Sequence, residues 1–348
     1  MKIGVGLSRN APDDWDSALR FAIEAERLGV DSIWSAETWG FDGATPLAYI
    51  ASHTSRLRLG TSILQIGART PALTAMTAMS MASMTNDRFV LGLGVSGPQI
   101  IEGWHGVPFD HPVQRTRELI EIIRLIEARE RLEYSGRFHR LPLGDTRPIR
   151  SAATQRRVPI HLAALGPANL KLTGELADGW IGNCFMPETA EVYLDPLKRA
   201  AEGAGRRLED IELQVPVTLE FDDDLEAVAK RHAEGYAFTF GAMGTPGQNF
   251  YVAAFSRQGF ADEVHEVERL WLAGRQDEAR DRVPVELAVR SNLLGTEDTV
   301  KDRLRAYRDA GIDALRVGLR GDTVDERLEQ LARLMPLVAE VTTEASSD

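Results

Sequence analysis

Short runs of apolar and β-branched residues alternate along the chain with longer stretches in which apolar residues recur every three or four positions. The short runs fit strands and the longer stretches fit amphipathic helices. Residues 3–7 read as a first strand and 13–28 as its helix, with Trp15, Leu19, Ala22, Ile23 and Leu28 near one face and Gly29 as the stop. Strands follow at 32–36, 57–63 and 89–95, with helices at 45–54, 71–84 and 112–131. Thr45-Pro46 offers a cap and a first-turn proline for helix 45–54. A polar excursion at about 132–157 interrupts the rhythm, which strands at 158–163, 180–183 and 211–219 then resume, with helices at 167–176 and about 188–204. Helical patterns at 225–238, 261–273 and 299–310 precede an eighth strand at 314–319 and a closing helix at 324–338.

Eight strands, each followed by at least one helix, match the count of an α/β (β/α)8 TIM barrel, because right-handed crossovers close such a chain on itself. The competing topology is an open doubly wound sheet with a helical domain. The pattern predicts one domain over 1–341, with a helical insertion at about 222–292 between strands seven and eight and a polar tail at 342–348.

Composition narrows the function classes. The 348 residues are 43% hydrophobic and 26% charged, the make-up of a globular protein. No apolar run approaches the ~18 residues needed to cross a bilayer, and the first ten residues hold too short an apolar run for a signal peptide. A formal net charge of −12 disfavours a nucleic-acid partner. The single cysteine, Cys184, allows no internal disulfide and points to a reducing cytoplasm.

In a barrel the loops after the strands carry the chemistry. Here they read Ser35 to Phe41, Thr61 to Gly67, Gly94 to Gln99 with Glu102 to Gly106, Ala163 to Pro167, and Gly182 to Met186. Glycine, small hydroxyls and aromatics dominate, and clustered carboxylates or histidines are missing. Glycine admits a flat ring close to the backbone and aromatics cover its faces, so a bound cofactor is expected to carry the reactivity. Gly92, Gly94 and Gly97 match G-x-G-x-x-G after a strand, but only four residues separate Pro98 from Gly103, so no dinucleotide-binding helix is expected. Leu165-Gly166-Pro167 opening helix 167–176 is a phosphate candidate or a plain turn. Glu37 stands directly at a strand mouth, as an acid–base group, a substrate anchor or half of an ion pair. The seven histidines show no metal-ligand spacing, and although His105, Asp110 and His111 lie close in sequence, a solvated loop accounts for them better. No metal site is expected. Cys184 lacks a basic neighbour and no G-x-S-x-G elbow occurs. Asp222 to Asp224 reads as helix-start charge.

These loops resemble those of the bacterial-luciferase-like flavin and deazaflavin oxidoreductases, and most of all actinobacterial-type members that use coenzyme F420. The resemblance covers almost the whole chain. It rests on Asp31 to Glu37 (DSIWSAE), Leu57 to Ile63 (LRLGTSI), Arg88 to Gly94 (RFVLGLG), Gly97-Pro98-Gln99, Glu102 to Gly106 (EGWHG), Ala163 to Pro167 (AALGP) and Ala177 to Trp180 (ADGW). It implies a non-prolyl cis peptide at Ser62-Ile63, forming a bulge behind the deazaflavin ring. It further implies that Val95 and Ser96 flank the ring edge, that the Leu165 and Gly166 amides hold the cofactor phosphate, and that Ala36, Thr61, Gly94, Ala164, Pro167 and Asn183 belong to the same cofactor site. Trp39, Trp104 and His105 would face a small-molecule substrate, with Glu37 or His105 protonating the atom next to the one that exchanges hydride. A homodimer with a lid formed by the insertion is the implied assembly.

Sugar-phosphate dehydrogenases of that family carry an Asp-His pair after strand two and a Glu after strand four. This chain has Ala36-Glu37 and Gly97-Pro98 there, which argues against sugar-alcohol oxidation with that acid–base set. The expected function is an F420-dependent oxidoreductase. The alternatives are an FMN-dependent luciferase-like monooxygenase fed by a separate reductase, a non-catalytic flavin-binding protein, and, disfavoured by the missing ligand spacings, a metal-dependent barrel hydrolase.

Overall fold

The computed structural model describes residues 1–7, 14–243 and 249–344. Eight parallel strands form a ring: β1 (Lys2–Gly6), β2 (Ser32–Ser35), β3 (Arg58–Thr61), β4 (Phe89–Gly94), β5 (Ile160–Ala163), β6 (Gly179–Ile181), β7 (Glu212–Phe221) and β8 (Ala314–Leu319). Each pairs with the next, and β8 closes on β1 with Lys2 opposite Ala314 and Val5 opposite Val317. That pairing excludes the open sheet.

Strand alternation sorts the side chains. Ile3, Val5, Ile33, Leu59, Leu91, Leu315 and Val317 point outward and are buried with helix residues such as Phe21, Leu119, Ile123 and Leu331. The opposite parity faces the barrel axis. At the N-terminal floor Glu212 accepts two bonds from Arg58 at 2.8 and 3.0 Å, and lies 3.5 Å from Lys2 and 3.9 Å from His161. Burial opposes its charge, but Arg58 and the other cations outweigh burial and hold its pKa at about 2. His161 is pushed down to about 4, burial outweighing the pull of Glu212. Above them Trp34 donates from Nε1 to Ser32 Oγ at 2.8 Å, its ring 5.9 Å from His161. The lower half of the barrel is thus filled by its own side chains, which confines any ligand to the C-terminal mouth.

Local chemistry sets the helix ends. Asp14 caps helix Trp15–Arg27, and Gly29, at φ +91°, follows its end; residue 13, the expected start, lies outside the described residues. Helix Thr45–Ala51 is capped by Asp42, whose Oδ1 accepts from the amides of Ala44 and Thr45 at 2.9 Å each, so Thr45 is not the cap its sequence suggests. The excursion after helix Pro112–Glu127 contains a hairpin, Tyr134–Ser135 with Arg140–Leu141. Its turn is tied down by the fully buried Glu118, which accepts from the amides of Arg137, Phe138 and His139 at 2.8, 3.0 and 2.9 Å. Burial opposes that charge too, yet the hydrogen bonds hold its pKa at about 2.

After β7 come helices Leu225–Ala242, Phe250–Phe255, Ala261–Leu272, Gln276–Arg282 and Val285–Ser291, then a short strand, Leu293–Gly295, that pairs with the end of β7. They bury their own apolar cluster, including Val228, Phe240, Phe255, Val264 and Leu287. The last helix runs Val324–Glu344, so the expected polar tail from residue 342 is helical through 344, with 345–348 outside the described residues. Thr342 and Thr343 donate to carbonyls four residues back, and Glu344 pairs with Arg305, which sustains the last turn.

Two windows of acid destabilisation follow. The folded-state pKa of His161 lies below its ordinary 6.5, so the stability it contributes is full above pH 6.5 and is lost as pH falls towards about 4. Glu118 and Glu212, ordinarily at 4.5, contribute stability that is full above pH 4.5 and is lost as pH falls towards about 2. Urea unfolding measured from pH 7 to pH 3 is expected to show both windows, and His161→Gln to remove only the upper one.

Candidate active site

Regular pairing of β3 with β2 ends at Thr61, opposite Ser35. Ser62 N still donates to Ser35 O, at 2.6 Å, Ile63 O accepts from Glu37 N at 3.3 Å, the Ser62–Ile63 peptide is cis, and Leu64–Gln65 pairs with Leu93 and Gly94 of β4, the strand that Leu59 and Gly60 already face. Two glycines of β4 admit the close approach of this segment. A Cβ at Gly92 would lie 1.7 Å from Thr61 O, and one at Gly94 2.8 Å from Ile63. The Thr61 hydroxyl, fully buried, donates to Gly92 O and accepts from Gly92 N, both at 2.9 Å. It is consumed inside the sheet, so Thr61 does not offer a ligand the group expected of it. Ile63 instead packs on Trp34, Val90 and Ile181 and, together with Ala163, makes an apolar seat at the mouth. Above this level a Cβ at Gly6, Gly97 or Gly166 would meet nothing within 4 Å.

Around the seat stand the other expected residues. Two residues after β4, Ser96 sits at φ +59°, a left-handed conformation uncommon for a residue with a Cβ, with Val95 and Ser96 half-buried. Gly97 leads into a helix of four residues, Pro98–Ile101, where the sequence suggested none; it is too short for a dinucleotide fingerprint. His105 Nε2 is buried without a hydrogen-bond partner, as is Gln65 Oε1. Trp39 and Trp104 are each 63% exposed at the rim. Just after β5, Ala164 is 2% exposed, so its side chain is closed to a ligand, and its carbonyl accepts from Trp180 Nε1 at 2.9 Å. Gly166 is the N-cap of helix Pro167–Leu176, and Arg257 donates to Leu165 O at 2.7 Å. Asn183 is exposed, its Oδ1 accepting from Cys184 N at 2.8 Å. Ala36 lines a cavity of about 620 Å³ beside the mouth, with Leu7, Trp15, Ser35 and Phe41.

Glu37 is not a free acid. Its Oε1 accepts from Arg69 Nη2 at 2.9 Å, with the two side chains 11% and 18% exposed, while Gln65 Nε2 donates to the carbonyls of Glu37 and Thr38 at 3.0 and 3.2 Å. This is the ion-pair reading of the residue. Burial drives the Cys184 thiol well above the usual thiol range, which removes it as a nucleophile. Asp110 pairs with Arg115, and among the described residues no three ligating side chains gather as a metal site would require.

Two features escaped the sequence. Arg316 of β8 donates to Ser62 Oγ, and its signal was a charge at an axis-facing strand position between Leu315 and Val317. Glu220, at the end of β7, accepts from Arg231 at 2.8 Å, bonds His232 Nε2 at 2.7 Å and lies 3.2 Å from Arg320. No spacing rule links residues 220, 231 and 320.

With a parallel eight-stranded barrel and a glycine-lined mouth in place, comparison with known proteins supplies the class. The sequence profile of the luciferase-like monooxygenases matches residues 1–314, and the chain belongs to that family. A Mycobacterium tuberculosis protein whose name assigns it provisionally to the coenzyme F420-dependent oxidoreductases is 37% identical over 324 residues, covering 90% of this chain and 93% of that protein. The fold is shared with the coenzyme F420-dependent tetrahydromethanopterin reductase of Methanopyrus kandleri, at TM-score 0.79 and 20% identity over 97% of this chain and 98% of the other. It is shared too with the oxygenating constituent of 3,6-diketocamphane monooxygenase from Pseudomonas putida, solved with FMN, at TM-score 0.70 and 18% identity over 98% of each. Among the described residues no helix is long and apolar enough to cross a membrane.

If Glu37 and Arg69 serve each other, Glu37→Gln and Arg69→Met should each cost about 1–3 kcal/mol in denaturant unfolding, and the double variant less than their sum. Additive losses would show the two side chains to be independent.

Proposed function

We propose that this chain is an F420-dependent oxidoreductase that passes a hydride between the deazaflavin C5 and a small organic substrate. The observation that carries the reading is the close packing of Thr61 to Ile63 on Gly92 and Gly94, which sets an apolar seat at the mouth, with nothing within 4 Å of a Cβ placed at Gly6, Gly97 or Gly166. Such a seat fits a planar ring, and the names of the relatives favour a deazaflavin. When bound, the coenzyme supplies the redox chemistry. Ile63 backs the ring, with Ser62, Gly94, Val95 and Ser96 along its edge. The amides of Leu165 and Gly166, at the start of helix Pro167–Leu176, receive the phosphate, where the helix dipole favours an anion. Ala36 and Asn183 bound the same space.

Trp39 and Trp104 cover the substrate, and desolvation beneath them strengthens each polar contact. His105 is the residue that holds or moves the proton, because its Nε2 is buried and uncommitted while Glu37 is engaged by Arg69. The second reading, an FMN-dependent monooxygenase, is favoured by the fold shared with the camphane enzyme. A buried lone thiol suits a reducing cytoplasm. Helix Pro71–Met84 carries no charged residue and exposes Leu73, Met76 and Met84 at 47%, 60% and 65%, which suits a homodimer through that face.

Titration of the purified protein with F420 and with FMN is expected to show at least about tenfold tighter binding of F420, and tighter FMN binding overturns the assignment. His105→Ala should bind F420 normally yet turn over about 10²-fold more slowly at neutral pH. Met76→Glu should convert the dimer to monomer in light scattering without loss of the folded circular-dichroism signal.

A further inference from the structure

The cavity beside the mouth is walled by the loops that follow β8, β1 and β2, three neighbouring strands, and by helix Trp15–Arg27. Its volume of about 620 Å³ is that of a small-molecule site, typically ~300–1,000 Å³. Among the residues that line it, Phe21, Pro46 and Val324 are buried, and Trp15 and Phe41 meet edge to face with ring centroids 5.1 Å apart. The cavity shares a wall with the cofactor seat, because Ser35 lines it and the Ser35 carbonyl accepts from Ser62 N, one residue before Ile63. Its charged lining is unbalanced, with four carboxylates, Asp14, Asp42, Asp322 and Asp325, against the guanidiniums of Arg20 and Arg327. Arg20 pairs with Asp325, and Arg69, 3.9 Å from Asp42, is held by Glu37. Arg327 donates to Thr323 O at 3.2 Å and lies 5.6 Å from the centre of the Phe21 ring. Asp14 and Asp42 accept from amides at helix starts, which leaves their charge in place.

We propose that this cavity holds the body of the substrate and selects an uncharged, ring-sized apolar molecule over an anionic one of the same shape. The proposal rests on the F420 reading, because it sets the substrate beside the ring that Ile63 backs. Burial of a ring against Trp15, Phe21 and Phe41 supplies the affinity. An anion entering the same space meets a net negative lining, whose field the low-dielectric walls concentrate. The anionic end of the cofactor lies on the other side of the mouth, since the Leu165 and Gly166 amides follow β5, the strand opposite β1 in the ring of eight. Substrate and cofactor phosphate are thereby sorted by charge to opposite sides of the barrel.

Calorimetric titration of F420-loaded protein, its ring site filled, with 2-acetylnaphthalene and with 2-naphthoate tests this. The neutral probe should bind at least about tenfold more tightly than the anion at low ionic strength, and the gap should narrow as salt is added. Asp322 is exposed and its carboxylate makes no hydrogen bond or ion pair among the described residues. Asp322→Lys should therefore tighten 2-naphthoate about fivefold while leaving 2-acetylnaphthalene and F420 unchanged. Ala18→Trp, which fills the cavity from helix Trp15–Arg27, should abolish binding of both probes and keep F420 affinity. Equal affinities for the two probes in native protein, binding of neither, an Asp322→Lys protein that treats them as the native one does, or an F420-binding Ala18→Trp protein that still takes 2-acetylnaphthalene as tightly, each overturns the inference and leaves the functional reading intact. Failure of the native protein to bind F420 overturns both. Should Ala18→Trp not fold, Trp15→Leu removes the aromatic corner but keeps an apolar side chain; it should weaken 2-acetylnaphthalene at least about fivefold, and an unchanged affinity overturns the inference.

Discussion

The mouth of this barrel depends on one packing constraint, the absence of side chains at Gly92 and Gly94. Because β4 presents bare backbone there, Thr61 O and Ile63 can press against it while the chain beyond Thr61 stays between its two neighbours, Ile63 O accepting from Glu37 N and Leu64–Gln65 pairing with Leu93 and Gly94. Opposite Gly92 the Thr61 hydroxyl bonds both the carbonyl and the amide of that glycine. A buried polar group must be satisfied somewhere, and here a side chain does it. From that close approach follow the apolar seat of Ile63 and the placement of Ser62.

The barrel divides its axis by chemistry. At the floor, one carboxylate gathers two cations and a neutral imidazole, and Trp34 caps them. At the mouth, Glu37 pairs with Arg69, Glu220 gathers three basic neighbours and Arg316 bonds Ser62 Oγ, beside the apolar patch of Ile63 and Ala163. A redox cofactor needs little from the protein beyond a seat, an anion cradle and control of charge near its ring. The described residues present an apolar patch of Ile63 and Ala163 over Trp34, Val90 and Ile181, and no three ligating side chains gathered as a metal cage.

Much of this was legible along the chain. All eight barrel strands fall within a few residues of where the apolar runs put them, and β8 matches at both ends, because strand parity against a buried helical layer leaves little freedom. Helix 71–84 is likewise bounded as its proline start and apolar run suggest. The misses are local competitions. Asp42 won the cap from Thr45 because an Asx turn reaches two amides at once, and the final helix outran its expected end because Thr342, Thr343 and Glu344 each found a helical partner.

The sequence by itself determined which residues lie in the walls of the barrel and which loops form its mouth, since periodicity and turn residues act over a few neighbours. Whether a polar side chain at the mouth was free or already engaged was decided only by the tertiary structure. Glu37 meets Arg69 across 32 positions and Thr61 meets Gly92 across 31, while Arg316 reaches Ser62 across 254. Such pairings are set by how the ring closes and leave no spacing in the chain to read.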